Sequence, residues 1–295
     1  MPKAFLNGIR IHYTQFGRGP DVVMVHGLAA NLAFWNVKIV PALVSNFRVT
    51  TYDLRGHGYS DMPSRGYTSS DMVKDLYSLL NYLGVEQAHL VGHSFGGAVV
   101  LEYAVFHPEH VLSLTLADAV LLALYPAVSR RAWQRRSYLN NKLKELGTLL
   151  REEDLNDERL LEKLADPRWK TLRQRNDSAP FFVPFGSWNG AKRMAKQWRL
   201  LLGTTSALED FQIPSVVTLD QVRKINHPSL AIFGARSRYL AACRELQRNL
   251  PNCRTTIIPG VGHFHPIVKP EAFAQKLQEF LLSPNCEASL QGKQD

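Results

Sequence analysis

Ser94 lies in Leu90-Val91-Gly92-His93-Ser94-Phe95-Gly96-Gly97, a serine with a glycine two residues away on each side. A hydroxyl there could act as a nucleophile, but only with help. It needs a base to take its proton and a third group to orient that base. The apolar pair Leu90-Val91 reads as the end of a strand, and Ala98–Phe106 as a helix with an apolar face. A serine on the turn between them is held in strained backbone geometry that pushes its hydroxyl outward. Gly92 and Gly96 fit where a side chain would collide with neighbouring backbone. The same turn aims a helix N-terminus at whatever binds there. A glycine-rich structural turn also satisfies G-x-S-x-G, so the rest of the chain decides.

The elements that would position this serine can be read in order. Ala4–Asn7 and Ile9–Phe16 are short strands joined at Asn7-Gly8, a hairpin signal. Asp21–Val25 is a buried strand ending in His26-Gly27-Leu28. Ala33–Val44 is helical and interrupted by Pro41. Phe47–Tyr52 is a strand ending at Asp53-Leu54-Arg55-Gly56-His57-Gly58-Tyr59-Ser60, and Ser69–Leu83 is a helix stopping before Gly84. Val111–Ala117 is a strand ending at Asp118. From Val120 strand signals vanish for about a hundred residues, and helical stretches fall at Arg130–Leu150, Asp157–Leu164 and Gly190–Leu202. Strands return at Ser229–Phe233 and Thr255–Ile258, alternating with helices Leu240–Leu250 and Pro270–Leu282. The expected fold class is α/β: a mostly parallel central sheet with helices on both faces and an inserted helical segment. The expected division is a core of residues 1–119 and 227–282, an insertion of 120–226, and a disordered tail of 283–295. No internal repeat is visible.

Composition narrows the class. The 295 residues are 45% hydrophobic and 21% charged, as in globular proteins, and no apolar run approaches the roughly 18 residues of a membrane span. The N-terminus lacks the apolar core of a signal peptide, and three cysteines (Cys243, Cys253, Cys286) form neither metal-like spacing nor a disulfide framework. A cytoplasmic location is expected. Much of the net charge of +9 is regional: residues 120–226 carry 19 Lys and Arg against 12 Asp and Glu. That excess suits an anionic or carrier-linked substrate or a membrane surface, and equally a solvated basic face. No stacking or groove-reading motif accompanies it, so nucleic acid is not an expected partner. Oligomeric state is not legible.

Four motifs in order carry a resemblance to the α/β-hydrolase family. They are His26-Gly27 after an apolar strand, Asp53-x-Arg55-Gly56-x-Gly58-x-Ser60, Gly92-x-Ser94-x-Gly96-Gly97, and Gly260-x-Gly262-His263. The resemblance implies that Ser94 is the nucleophile. His263 would be the general base, favoured over His265 by its flanking Gly262. It also implies that the backbone N–H groups of Leu28 and Phe95 form an oxyanion hole, and that residues 120–226 form a cap over the site. The acid departs from the family's commoner pattern. Its expected position falls at or near Ser237, in Phe233-Gly234-Ala235-Arg236-Ser237, and no carboxylate follows until Glu245. Some relatives carry the acid after the strand that follows the elbow helix, and Asp118 holds that place. Asp118 is therefore the expected acid that orients His263, and a turn or helix-cap aspartate is the alternative reading. Arg55 and Asp61 read as loop ties, and His26 and His93 as local packing or hydrogen-bonding groups.

Aromatic residues in the insertion, Trp133, Phe181, Phe182 and Trp188 among them, suit an apolar substrate pocket, and equally the insertion's own core. The leading expectation is a serine hydrolase acting on an ester, thioester or related acyl bond, needing no metal or organic cofactor. The same constellation also serves C–C bond hydrolysis, lyase or acyl-transfer chemistry. A small-molecule binding protein with vestigial activity is the third reading, motivated by the missing carboxylate near Ser237.

Overall fold

The computed structural model describes residues 2–119, 121, 188–211, 213–237, 239–284 and 286. Eight strands form one sheet: β1 Lys3–Leu6, β2 Ile9–Phe16, β3 Asp21–Val25, β4 Arg48–Tyr52, β5 Ala88–His93, β6 Val111–Ala117, β7 Ser229–Gly234 and β8 Cys253–Ile258. Their order across the sheet is β1-β2-β4-β3-β5-β6-β7-β8. β2 pairs antiparallel with both β1 and β4, and every other pairing is parallel. The Asn7-Gly8 hairpin has both residues at positive φ (49° and 77°), the conformation its two-residue turn requires.

Every residue of β3, β5, β6 and β7 is buried, as expected of strands covered on both faces. Alternation then assigns each side chain to one of two apolar layers. Val22, Met24 and Val91 join the layer of α1 (Ala33–Asn36), α2 (Val40–Leu43) and α10 (Pro270–Leu281). Val23, Val25 and Leu90 join the layer of α3 (Ser69–Tyr82), α4 (Phe95–Phe106) and α8 (Leu240–Asn249). Pro41 marks the break between α1 and α2, lying in the first turn of the second, where its missing N–H costs nothing. Thr68 caps α3 in a reciprocal capping box with Asp71.

From β3 the chain crosses to β4 on one side, then returns past β3 to β5 on the other. Such a reversal of strand order opens a crevice at the carboxyl ends of β3 and β5, the usual place for a ligand in an open α/β sheet. His26-Gly27-Leu28 follows β3 there and Ser94 follows β5. Asp118 follows β6, the next strand along.

Some expectations shift in detail. α4 begins at Phe95 rather than Ala98, because the serine turn passes directly into the helix through the two glycines. Among the described residues no strand lies between Ala117 and Ser229. The helices there are α5 (Trp188–Thr204), α6 (Ala207–Asp210) and α7 (Leu219–Val222). The helices expected at Arg130–Leu150 and Asp157–Leu164 lie outside the described residues. A short helix, α9 (His265–Val268), follows the Gly260–Gly262 loop and was not legible from periodicity. Ser283 and Cys286 are both buried, so packed chain continues beyond α10.

The Asp53–Ser60 segment is tied down by ion pairs. Arg55 meets Asp75 on α3 through two hydrogen bonds of 2.6 Å, and its remaining terminal nitrogen donates to the Gly66 carbonyl at 2.6 Å. Both side chains are buried. Removing one partner would strand the other charge in the interior. The expected outcome is that Asp75→Ala loses about 3–5 kcal/mol of unfolding free energy in urea titration. A loss below about 1 kcal/mol, in the range of surface pairs, would contradict this assignment.

Candidate active site

Ser94 has φ 56° and ψ −120°, outside the regions an ordinary serine occupies. The surroundings hold it there: its N–H donates to the Ala117 carbonyl of β6 at 3.1 Å, and α4 starts at the next residue. The glycines make the turn possible through close approach. A Cβ on Gly92 would lie 2.3 Å from the Gly96 oxygen, and one on Gly96 would lie 2.4 Å from the Val25 oxygen at the end of β3. Any side chain at 96 would therefore push α4 off β3.

His263 stands between Ser94 and Asp118. Its Nε2 is 3.0 Å from Ser94 Oγ, and its Nδ1 is 3.2 Å from Asp118 Oδ1. With Nδ1–H donating to the carboxylate, Nε2 is left to accept the serine proton. Asp118 is fully buried and, like Ser94, has a positive φ (45°). Its N–H donates to the Ile232 carbonyl at 2.9 Å, fixing the strand end. Oδ2 accepts the Gly234 N–H at 2.9 Å, and Oδ1 also accepts the Ser237 hydroxyl. Burial raises the Asp118 carboxyl from its ordinary value, against the pull of the nearby imidazoles and of these hydrogen bonds.

Ser237, at the family's commoner acid position, thus faces the carboxylate as a hydrogen-bond donor. His265, the competing histidine, does not face Ser94. It is fully buried, with its Nε2 3.5 Å from Asp118 Oδ2, too long for a good hydrogen bond. Burial pushes its imidazole down to about 3. Sequence reasoning missed these two contacts because both depend on how the loops after β7 and β8 pack around a strand tip.

The crevice beside Ser94 is formed by the loop after β3. A Cβ on Gly27 would sit 2.8 Å from Ser94 Cβ, so the backbone there runs directly against the serine. Leu28 comes next in that loop. Phe95 N–H lies in the first turn of α4, where amides have no intrahelical acceptor. His26 Nδ1–H donates to the Gly27 carbonyl at 2.7 Å, and its Nε2 accepts the Leu54 N–H at 3.1 Å. His93 Nε2–H donates to the His263 carbonyl at 2.9 Å, and its ring stacks on Phe34 at 4.5 Å. Both are the local roles expected of them.

Asp53 proves to be a junction. Its carboxylate accepts from His12 Nδ1 at 2.6 Å, Leu32 N–H at 2.7 Å and Tyr59 N–H at 2.8 Å. Burial pushes its carboxyl up, but these hydrogen bonds, the one from His12 foremost, together with the charge of His26, bring it below the ordinary value. Asp61 accepts from both Arg10 N–H and Nε at 3.0 Å, so the loop-tie reading of Arg55 and Asp61 holds.

Of the aromatic substrate-binding candidates, Trp133, Phe181 and Phe182 lie outside the described residues. Trp188 begins α5, with its side chain outside them. Trp198 on the same helix is buried and stacks on Phe211 at 5.8 Å, which in turn meets the ring of Phe95 at 5.6 Å. Among the described residues no cluster of His, Cys, Asp or Glu is arranged to hold a metal, and no helix is long and apolar enough to cross a membrane.

A family model described as "alpha/beta hydrolase fold" matches residues 20–270. The chain belongs to the α/β-hydrolase fold family. It is 33% identical over 124 residues to "Bifunctional epoxide hydrolase 2" of Sus scrofa, covering 41% of this chain and 22% of that protein. It is 27% identical over 270 residues to "Putative non-heme chloroperoxidase" of Synechocystis sp., covering 86% of this chain and 88% of that one. The crystal structure of a membrane phospholipase A superposes with a TM-score of 0.73 at 24% identity, over 95% of this chain and 84% of that chain. The chain thus spans less than a quarter of the epoxide hydrolase's length, and the structural likeness speaks for the fold.

The buried imidazoles make stability depend on pH. Burial foremost pushes His57, His93 and His265 each down to about 3, so they are neutral in the folded protein. In the unfolded chain a histidine titrates near 6.5. Between these values the unfolded chain holds protons that the folded one does not, so stability falls as pH drops from about 6.5 toward 3. Asp118 works in the opposite sense, but as one group against these three and against His26 and His89, whose imidazoles burial also lowers. The unfolding free energy should fall by several kcal/mol between pH 6 and pH 4, at up to about 1.4 kcal/mol per pH unit for each histidine. Urea titrations at stepped pH would measure this, and a flat profile over that window would contradict it.

Proposed function

We propose that the protein is a serine hydrolase cleaving an ester, thioester or related acyl bond of a small, largely apolar substrate. The observation that carries this reading is His263 bridging Ser94 at 3.0 Å and Asp118 at 3.2 Å, one ring nitrogen to each. Ser94 Oγ attacks the acyl carbonyl while His263 Nε2 takes its proton. Asp118 holds Nδ1–H and stabilises the imidazolium that forms. The backbone N–H groups of Leu28 and Phe95 receive the developing oxyanion. His263 then protonates the leaving group, and a water activated by the same nitrogen releases the acyl group from Ser94.

The nucleophile's chemistry favours acyl substrates over epoxides, despite the epoxide hydrolases among the relatives. A serine oxygen opening an epoxide would form an alkyl ether, which water and a histidine do not cleave. A serine oxygen attacking an acyl carbon forms an ester, which they do. The binding-only reading rested on the absence of a carboxylate near Ser237, and Asp118 supplies one. Residues 120–226 are the proposed cap over the site, and their basic excess motivates including anionic thioesters beside neutral esters in a substrate panel.

Short p-nitrophenyl esters test the proposal. Wild type should turn them over, Ser94→Ala should show only background, and Asp118→Asn should lower kcat by about 10³–10⁴-fold through the wrong histidine tautomer. Equal rates for wild type and Ser94→Ala would overturn it.

A further inference from the structure

His57 is almost fully buried in the Asp53–Ser60 loop, and the steps just described make no use of it. Its Nδ1–H donates to the Arg55 carbonyl at 2.9 Å, which leaves Nε2 as an acceptor. Nε2 receives the Ala29 N–H at 3.1 Å. That amide belongs to the Leu28–Ala29 peptide, immediately after the Leu28 N–H proposed above to receive the oxyanion. Ala29 has φ 59°, a conformation an alanine does not choose, so something must hold it. An imidazole with a fixed tautomer is suited to that task, and burial keeps it neutral and accepting.

The same loop is gripped from the other side. Gln197 on α5 donates from Nε2 to the carbonyls of Gly56 and Gly58, at 3.3 and 3.0 Å, the two residues flanking His57. The neighbouring Trp198 ring lies 5.9 Å from the His57 ring. Helix α5 thus holds the carbonyl of the residue on each side of His57, and that imidazole holds the peptide beside the proposed oxyanion donor.

We infer that His57 is a positioning residue that sets the Leu28 N–H for the oxyanion and couples it to the seating of helix α5. This rests on the serine-hydrolase reading. When α5 is docked through Gln197, the loop holds His57 against Ala29 and the Leu28 donor is aimed. When that grip is lost, the donor loses its aim while Ser94, His263 and Asp118 keep their geometry. The cost falls on the transition state, because a donor aimed at the oxyanion contributes little to the ground-state carbonyl.

Two near-isosteric variants separate this from a merely structural role. His57→Gln places an amide oxygen near the former Nε2 and keeps an acceptor for Ala29 N–H. His57→Asn keeps a polar group near the former Nδ1 and loses that acceptor. On a p-nitrophenyl ester, His57→Asn should lower kcat about 10–100-fold with KM within about twofold. His57→Gln should retain most of kcat. Gln197→Ala should lower kcat about fivefold in the wild-type background and have no further effect beside His57→Asn, a non-additivity that reports coupling. Equal kcat values for Gln and Asn at position 57, or multiplicative effects of Gln197→Ala, would overturn the inference. If one variant at position 57 does not fold, the other compared with wild type still decides: a Gln variant as slow as the Ser94→Ala background, or an Asn variant as fast as wild type, refutes it. A fluorophosphonate probe separates the two levels. No Ser94-dependent labelling of wild type would sink the hydrolase reading and this inference with it. Labelling of wild type together with unchanged kcat in His57→Asn would sink the inference alone.

Discussion

The site depends on how closely the first turn of α4 approaches the end of β3. Gly96 leaves no room for a Cβ against the Val25 carbonyl, and Gly27 leaves none against Ser94. These two contacts bring together backbone from two strands at the point where strand order reverses. They put the serine, a helix N-terminus and the amides after β3 within one crevice. The rest of the fold keeps that approach in place: two apolar layers hold the sheet, and a network around Asp53 and Arg55 fastens the loop behind it. Polar contacts of this kind specify position more than they add stability, since each carries a desolvation cost that its partners only offset.

The proposed acid, Asp118, shows how one constellation can be built from different chain positions. A carboxylate at the end of β6 and a hydroxyl in the loop after β7 meet at Asp118 Oδ1, the oxygen that also faces His263 Nδ1. Here the first holds the charge, and the second, Ser237, donates a hydrogen bond to it. The burial of Asp118 is costly by itself. Gly234 N–H, Ser237 Oγ–H and His263 Nδ1–H compensate as donors from two separate segments, the end of β7 with its following turn and the loop after β8. The acid is therefore placed by the tertiary structure around β7 rather than by its own loop.

Much of this was legible in the sequence, for identifiable reasons. Strands such as Asp21–Val25 and Val111–Ala117 are short runs dominated by apolar residues, and their expected bounds match the observed ones. Ser94 and its glycines were legible because the turn needs those residue types at that spacing. His263 was separable from His265 only through its flanking Gly262, and the structure puts the two on opposite oxygens of Asp118. What was not legible comes from packing between distant segments. No local pattern marks His57 as an acceptor for Ala29, Asp53 as a junction for three donors, or Trp198 as stacked on Phe211. The short helix His265–Val268 was hidden because four residues carry too little periodicity to register.

The place of Asp118 in chain order has a consequence for how the protein could be divided. Ser94 and Asp118 both precede the long segment between β6 and β7, and His263 follows it. A chain cut within that segment would yield one piece carrying the proposed nucleophile with its proposed acid and another carrying the proposed base. Neither piece would hold a complete proton relay, and the relay would close only when β7 docked beside β6. On the proposed mechanism, activity would therefore report assembly, and the order of the elements along the chain marks where a two-piece complementation reporter would be split.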